Sequence, residues 1–288
     1  MNTIKEKAYG KINLGLDVLR RREDGYHEVK MIMQTVDIYD ELELTKRDDN
    51  KINLAIDIEK LEADESNLVY KAIKLIKDTY NVKVGVDAYL IKRIPIAAGM
   101  AGGSADAAAA LRGMNRLFEL GISTEELCVL GKKIGADVPF CIVGGTYLAE
   151  GIGEQLTPLT PVEGSYLAIA KPSIDVSTKY VYENLNVNDG GRVHPDVDVL
   201  IKAIEDKNYE VLYKNMGNIL ESVTIEKYSV IEEIKKEFLK VGAKAALMSG
   251  SGPTVFAVFN TKEEAEKAVI SIEGRYELDT LAVTTYTK

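Results

Sequence analysis

PIAAGMAGGSADAAAALRGMNRLFEL, residues 95–120, joins a glycine-rich loop to an amphipathic helix. Gly99, Ala101, Gly102 and Gly103 are small enough for the backbone to approach a ligand closely, and glycine supplies positive φ. Ser104 stands where a helix N-cap is expected. Behind it Ala107, Ala110, Leu111, Met114, Leu117 and Phe118 recur at three- and four-residue intervals, with Asp106, Arg112, Asn115, Arg116 and Glu119 on the other faces. That spacing predicts a helix that stops at Gly121. Such a loop aims free backbone N–H groups and the positive end of a helix dipole at one point, where a phosphate is the preferred guest. The same pattern also serves as a plain turn before a close-packed helix. No Lys-Ser or Lys-Thr follows the last glycine, so this is not a P-loop, and the dinucleotide GxGxxG spacing is absent.

The 288 residues suffice for one large domain or two of ordinary size, and 46% hydrophobic with 28% charged residues is a globular composition. The net charge is −9, and there is no Lys/Arg-rich run, which argues against a nucleic-acid binder. Cys128 and Cys141 are the only cysteines and His27 and His194 the only histidines, so neither a disulfide framework nor a His/Cys zinc site is expected. The amino terminus, MNTIKEKAYG, has no apolar run of signal-peptide length, and no window approaches a membrane span. The expectation is a cytoplasmic protein with no membrane or nucleic-acid partner; the sequence leaves its oligomeric state open.

Residues 4–19 read as a strand in which Ile12, Leu14, Leu16 and Val18 alternate with Lys11, Asn13 and Asp17. A lysine and an asparagine on one strand face are commonly just solvated. Asp24-Gly25 is a turn signal, followed directly by Tyr26 and His27. Residues 31–44, 52–58 and 82–94 look extended, and 67–80 helical with Ser66 as N-cap. Ser123 opens a helix through Ile134, and Asp137 then sits between a helix end and Pro139 in apolar company, where turn and cap roles are its ordinary uses. Prolines 158 and 161 mark a boundary, dividing the chain into 1–161 and 162–288. Beyond it come a strand at 166–170, a short helix carrying Tyr180 and Tyr182, a polar loop at 186–195, and two or three helices within 196–241. Strands then flank Ser249-Gly250-Ser251-Gly252-Pro253, and Thr261 with Glu264 caps a last helix before a strand at 278–286. The first half reads as α+β, the second as a β–α–β–β–α–β ferredoxin-like sandwich.

Three stretches taken together, AYGKINLGL at 8–16, PIAAGMAGGSADAAAA at 95–110 and LMSGSGPTVFAVF at 247–259, resemble the three motifs of the GHMP kinase superfamily. The resemblance runs in order from residue 8 to about 260. It implies a two-domain GHMP kinase fold, with an N-terminal ribosomal-protein-S5-like domain and a C-terminal ferredoxin-like domain. DGYH at 24–27 and GADVPF at 135–140 are similar to the branch that phosphorylates the 2-hydroxyl of 4-diphosphocytidyl-2-C-methyl-D-erythritol with ATP and Mg²⁺, in the non-mevalonate route to isoprenoid precursors. Another small-molecule GHMP kinase is the alternative, and a non-catalytic nucleotide sensor a further one, whose signature would be loss of Lys11, Asp137 or the glycine loop.

The resemblance implies that Asp137 accepts the proton of the substrate hydroxyl and that Lys11 is its cationic partner. Asn13 would hydrogen-bond the methylerythritol hydroxyls or Asp137. Pro95, Ile96, Ala97, Ala98, Gly99, Met100, Ala101, Gly102, Gly103, Ser104 and Ala105 would wrap the ATP phosphates, with Asn67 near the nucleotide. Met100-Ala101 replaces a Leu-Gly often found there and keeps the loop narrow. Tyr26 and His27 would address the cytosine and Tyr182 would stack on its opposite face, with Tyr180 the neighbour a small alignment shift would confuse with it. No metal ligand is assigned.

Overall fold

The computed structural model describes residues 2–187 and 193–286, so residues 188–192 of the expected polar loop lie outside the described residues. The chain opens with β1 (Thr3–Arg21), β2 (His27–Arg47), β3 (Ile52–Ile56), α1 (Leu68–Tyr80) and β4 (Gly85–Ile91). Then follow α2 (Gly102–Leu117), α3 (Thr124–Lys132) and α4 (Val138–Val143). The later part holds β5 (Thr146–Glu150), β6 (Gln155–Pro158), β7 (Tyr166–Pro172), α5 (Thr178–Asn184), α6 (Val197–Glu205), α7 (Tyr209–Asn215) and β8 (Gly217–Asn218). It closes with α8 (Glu221–Lys227), α9 (Val230–Lys240), β9 (Ala245–Met248), β10 (Val255–Phe259), α10 (Lys262–Ile272) and β11 (Leu278–Thr285). Two compact units interleave along this order. Met1–Gly10, Ile38–Ile94 and Ala101–Gly144 form the first; Lys11–Asp37, Pro95–Met100 and Gly145–Lys288 form the second.

In the first unit β3 runs parallel to β4, and β4 antiparallel to Glu41–Arg47 of β2. Leu42 and Leu44 of β2 are buried with their partners Leu90 and Ala88, as strand alternation requires. α1 packs on α2, and α2 on α3 and α4. The alanines Ala107–Ala110 are all fully buried, so α2 is enclosed on every side over this stretch, where the sequence pattern indicated a single apolar stripe.

The start of α2 also differs from expectation. Its N-cap is Ala101, in the left-handed region at φ 58°, which places Ser104 inside the first turn instead of at the cap. The reason lies in the loop: Ala97, Gly99 and Ala101 all take positive φ, winding the chain into the helix three residues early. The helix ends at Leu117 because Glu119 turns to positive φ and the Asn115 side chain bonds both the N–H and the carbonyl of Ile122. α1 is capped by Asn67, not Ser66; its Oδ1 accepts from the Val69 N–H at 2.9 Å. Asp137, for which turn and cap roles were open, stands at the N-cap position of the short helix α4, whose first turn tolerates Pro139 because those N–H groups have no intrahelical partner.

In the second unit Met31–Gln34 of β2 pairs with β5, β5 with β6, and Gly15–Leu16 of β1 runs parallel to β8. A separate four-stranded antiparallel sheet has the order β11-β7-β10-β9, with α9 and α10 packed on it. This is the expected ferredoxin-like arrangement, and every residue of β10, a central strand, is buried. Residues 196–241 hold four helices, α6–α9, where two or three were expected, because β8 and Tyr228 break the helical run. Among the described residues no helix is long and apolar enough to cross a membrane.

The Thr261–Glu264 pair forms a full capping box: the Thr261 hydroxyl accepts from the Glu264 N–H at 3.2 Å while the Glu264 carboxylate accepts from the Thr261 N–H. Thr261→Ala is expected to cost about 1 kcal/mol, read as a shifted denaturant midpoint with unchanged slope.

Candidate active site

Lys11 lies in the middle of β1 and is only 5% exposed, contrary to the ordinary solvated reading of its strand face. A buried ammonium must be met by acceptors. Its Nζ donates to Asn13 Oδ1 at 2.7 Å, two residues along the same face, and to the Gly99 carbonyl at 2.9 Å. Asn13 is fully buried, and its Nδ2 contacts Met31 Sδ at 3.3 Å. The Lys11 main-chain N–H donates to the Met100 carbonyl at 3.1 Å, so strand and loop are joined through both backbone and side chain.

The Gly99 carbonyl takes a second donor, the Ser249 hydroxyl, at 2.9 Å. Ser249 opens the second glycine turn, within which Ser249 N–H donates to the Thr254 carbonyl and Gly252 N–H to the Ser249 carbonyl. The Asn218 amide braces this turn by donating to the carbonyls of Met248 and Gly250 at 2.8 and 2.7 Å. Two positions in this region are hostile to a side chain. A Cβ on Gly99, at φ 71°, would stand 2.0 Å from the Ser249 carbonyl oxygen, and one on Gly250, at φ 56°, would stand 3.0 Å from the Gly99 oxygen and 3.3 Å from Lys11 Nζ. Ser249 and Asn218 were not singled out in the sequence; the SGSGP string was the available signal for the first, and nothing local marks the second.

In the first unit, no side chain caps α2 and no acidic residue lies in its first turn, leaving its leading N–H groups for an anion. Ala98, Met100 and Ala105 are buried, so their contribution to a ligand would be backbone only. The beginning of α1 lies alongside: Leu68 Cδ1 is 3.4 Å from where a Cβ on Gly103 would be. Asn67 is occupied by its own turn, with Nδ2 donating to the Glu62 carbonyl at 3.0 Å. Asp137 is half-buried at the N-cap of α4; its main-chain carbonyl accepts from the Cys141 N–H, while its carboxylate makes no capping bond and is not consumed by the helix. Asp137 belongs to the first unit and Lys11 to the second.

His27 and Tyr182 come together in the second unit, with ring centroids 5.2 Å apart and planes inclined at 38°. Burial lowers the His27 pKa, and the neighbouring Arg21 charge lowers it further, favouring neutral imidazole. Tyr26 is 62% exposed. The two candidate tyrosines of α5 are distinguished by what they meet: Tyr180 lies under the Lys227 ammonium, 3.7 Å from the ring centroid, whereas Tyr182 meets His27. Among the described residues no group of three or more His, Cys, Asp or Glu is arranged to hold a metal ion.

Residues 67–145 match the family model for the GHMP kinases N terminal domain, and residues 200–276 that for GHMP kinases C terminal. The chain is 54% identical over 259 residues to the 4-diphosphocytidyl-2-C-methyl-D-erythritol kinase of Lachnospira eligens, covering 90% of each protein. To the kinase of that name from Clostridium perfringens it is 48% identical over 281 residues, covering 98% of this chain and 97% of the relative. A crystal structure of a 4-(cytidine 5'-diphospho)-2C-methyl-D-erythritol kinase superposes with a TM-score of 0.83 at 28% identity, covering 99% of this chain and 100% of that one. With both halves of the GHMP architecture present and half of all positions shared with such relatives across nearly the whole length, the chain belongs to the GHMP kinase family, in the branch of the 4-diphosphocytidyl-2-C-methyl-D-erythritol kinases.

Proposed function

We propose that this protein transfers the γ-phosphoryl group of ATP to the 2-hydroxyl of 4-diphosphocytidyl-2-C-methyl-D-erythritol, in the cytoplasm and in the non-mevalonate route. The observation that carries this reading is the buried Lys11 ammonium held against the Gly99 carbonyl of the glycine loop, which puts a fixed positive charge beside the backbone assigned to the phosphates. The loop 95–105 wraps the phosphates with backbone N–H groups, Ser104 adding its hydroxyl and Asn67 fixing the neighbouring helix start. Asp137 accepts the proton of the attacking hydroxyl, and Lys11 offsets the charge that develops. Phosphoryl transfer has a loose transition state, so positioning and charge compensation count for more than base strength, and a weakly basic aspartate suffices.

Asn13 orients the acceptor's hydroxyls. His27 hydrogen-bonds the cytosine edge as a neutral imidazole, Tyr182 stacks on the base, and exposed Tyr26 packs over it. The protein residues fit the nucleotide, since the uncapped start of α2 and the glycine positions leave room for phosphate oxygens. Mg²⁺ would be carried in mainly by phosphate oxygens and water. We further assign residues 1–161 and 162–288 as the two inherited domains, supported by the two family matches lying on either side of residue 161.

Purified protein is expected to consume ATP with the cytidyl substrate and not with mevalonate or homoserine. Turnover of either other acceptor alone would overturn the substrate assignment, and no turnover on any would overturn the kinase reading. Asp137→Asn should lower kcat by about 10²-fold or more while calorimetry finds nucleotide binding retained. Gly99→Ala, forced against the Ser249 carbonyl, should raise the KM for ATP by about tenfold or more. Tyr182→Ala should raise the KM for the cytidyl substrate by roughly fivefold to tenfold, with Tyr180→Ala changing it by less than about twofold; equal effects would remove the stacking role.

A further inference from the structure

A buried charge cluster beneath the first turns of α2 is left unused by the roles above. Lys92, in the segment between β4 and the glycine loop, donates from Nζ to Asp40 and, at 2.6 Å, to Asp106 Oδ2. The three side chains are 5%, 0% and 4% exposed, in that order. Asp40, on β2, also accepts from the backbone N–H of Arg93 and, at 2.7 Å, of Ile94, the two residues that lead into Pro95. Asp106 stands on α2 one turn past Gly102, and a Cβ on Gly102 would lie 3.5 Å from Lys92 Nζ. The segments that precede and follow the loop are therefore clasped through one ammonium.

The charge count of this cluster is uneven. One lysine between two carboxylates leaves a net negative charge in a dry site, an arrangement that binds a proton in preference to staying charged. Satisfiability places that proton. Asp40 is surrounded by three N–H donors, whereas Asp106 has Lys92 on Oδ2 and nothing on its buried Oδ1. A protonated Asp106 becomes a donor, and Asp40 is an acceptor facing it. Burial pushes the Asp106 pKa up to about 8, against the pull of Lys92 and with the help of Asp40. Other charges near these elements are engaged elsewhere: Arg93 lies by Asp57, and Glu6 of β1 is taken by Arg112 and Arg116 further along α2. α1 and α4, which also pack on α2, bury Val69, Ile73, Val138 and Phe140.

We propose that Asp106 is a positioning residue for the phosphate loop: protonated, it completes a neutral clasp with Lys92 and Asp40, and on ionising it places an uncompensated negative charge under the N-terminus of α2 that weakens the hold on nucleotide phosphates. This rests on the phosphate-binding role assigned to residues 95–105. The direction follows from the sign of the charge, since a buried anion close to the helix start offsets the positive end of the dipole and repels phosphate.

The test is ATP binding by calorimetry, with KM and kcat alongside, at about pH 6.5 and about pH 9.5 for wild type, Asp106→Asn and Asp106→Ala. The amide copies the protonated acid, so Asp106→Asn should bind like wild type at the lower pH and, over the interval, lose roughly fivefold less affinity than wild type does. Asp106→Ala should bind weakly at both, with the KM for ATP raised and kcat little changed. The same pH dependence in wild type and the asparagine variant, or an asparagine variant as weak as the alanine one at low pH, would overturn the clasp. Should neither variant fold, infrared spectra of the wild type decide: a buried protonated carboxyl must be present at about pH 6.5 and lost towards about pH 9.5, and its absence at the lower pH overturns the proposal. Binding reads the clasp and turnover reads the reaction, so a protein that binds ATP with this dependence but phosphorylates nothing would keep the clasp and remove the kinase assignment.

Discussion

The carbonyl oxygen of Gly99 accepts from the Lys11 ammonium and the Ser249 hydroxyl at once, and the second unit's part of the site depends on that shared acceptor. Each donor fixes a different stretch of chain. Lys11 brings the middle of β1 and its neighbour Asn13, and Ser249 brings the turn between β9 and β10. With both lone pairs used, the peptide at Gly99 has one orientation, and the positive φ and the closeness of the Ser249 carbonyl exclude any side chain there. The loop is thereby organised before any ligand arrives, which lowers the ordering cost of binding.

An acidic chain that handles an anionic nucleotide cannot rely on its overall field, since the net charge of −9 repels the ligand at long range. The solution is local. Backbone N–H groups at a helix start without a side-chain cap are left for an anion, and the Lys11 ammonium is positioned by donating to an amide oxygen and a main-chain carbonyl. The cluster around Lys92 follows a different rule, in which one lysine is shared by two carboxylates.

Much of this was legible in sequence. The glycine loop, the helix after it, the strand-face pairing of Lys11 with Asn13, and the capping box of α10 all follow from local patterns, and the structure keeps each of them. The errors have physical causes. Ser104 looked like a cap because serine is a good one, but two alanines accepted left-handed backbone and moved the helix start to a residue with no capping side chain. Asp106 was placed on a polar face because a period of 3.6 residues says nothing about a helix enclosed on all sides; its isolation in a run of alanines was the clue. That Tyr182 meets His27 while Tyr180 lies under Lys227 depends on the register of a short helix, which no single stretch encodes.

The two donors that fix Gly99 enter synthesis at very different times. Lys11 precedes Gly99 by 88 residues, whereas Ser249 follows it by 150, and Gly15 likewise waits for Gly217 to complete its parallel pairing. A nascent chain stalled before β9 therefore has the glycine sequence but only half of what orders it, and closing so long a chain segment carries an entropic cost that local helices do not. The Gly99 peptide is fixed only once a residue 150 positions downstream has arrived, so order in the loop reports that synthesis has passed β9.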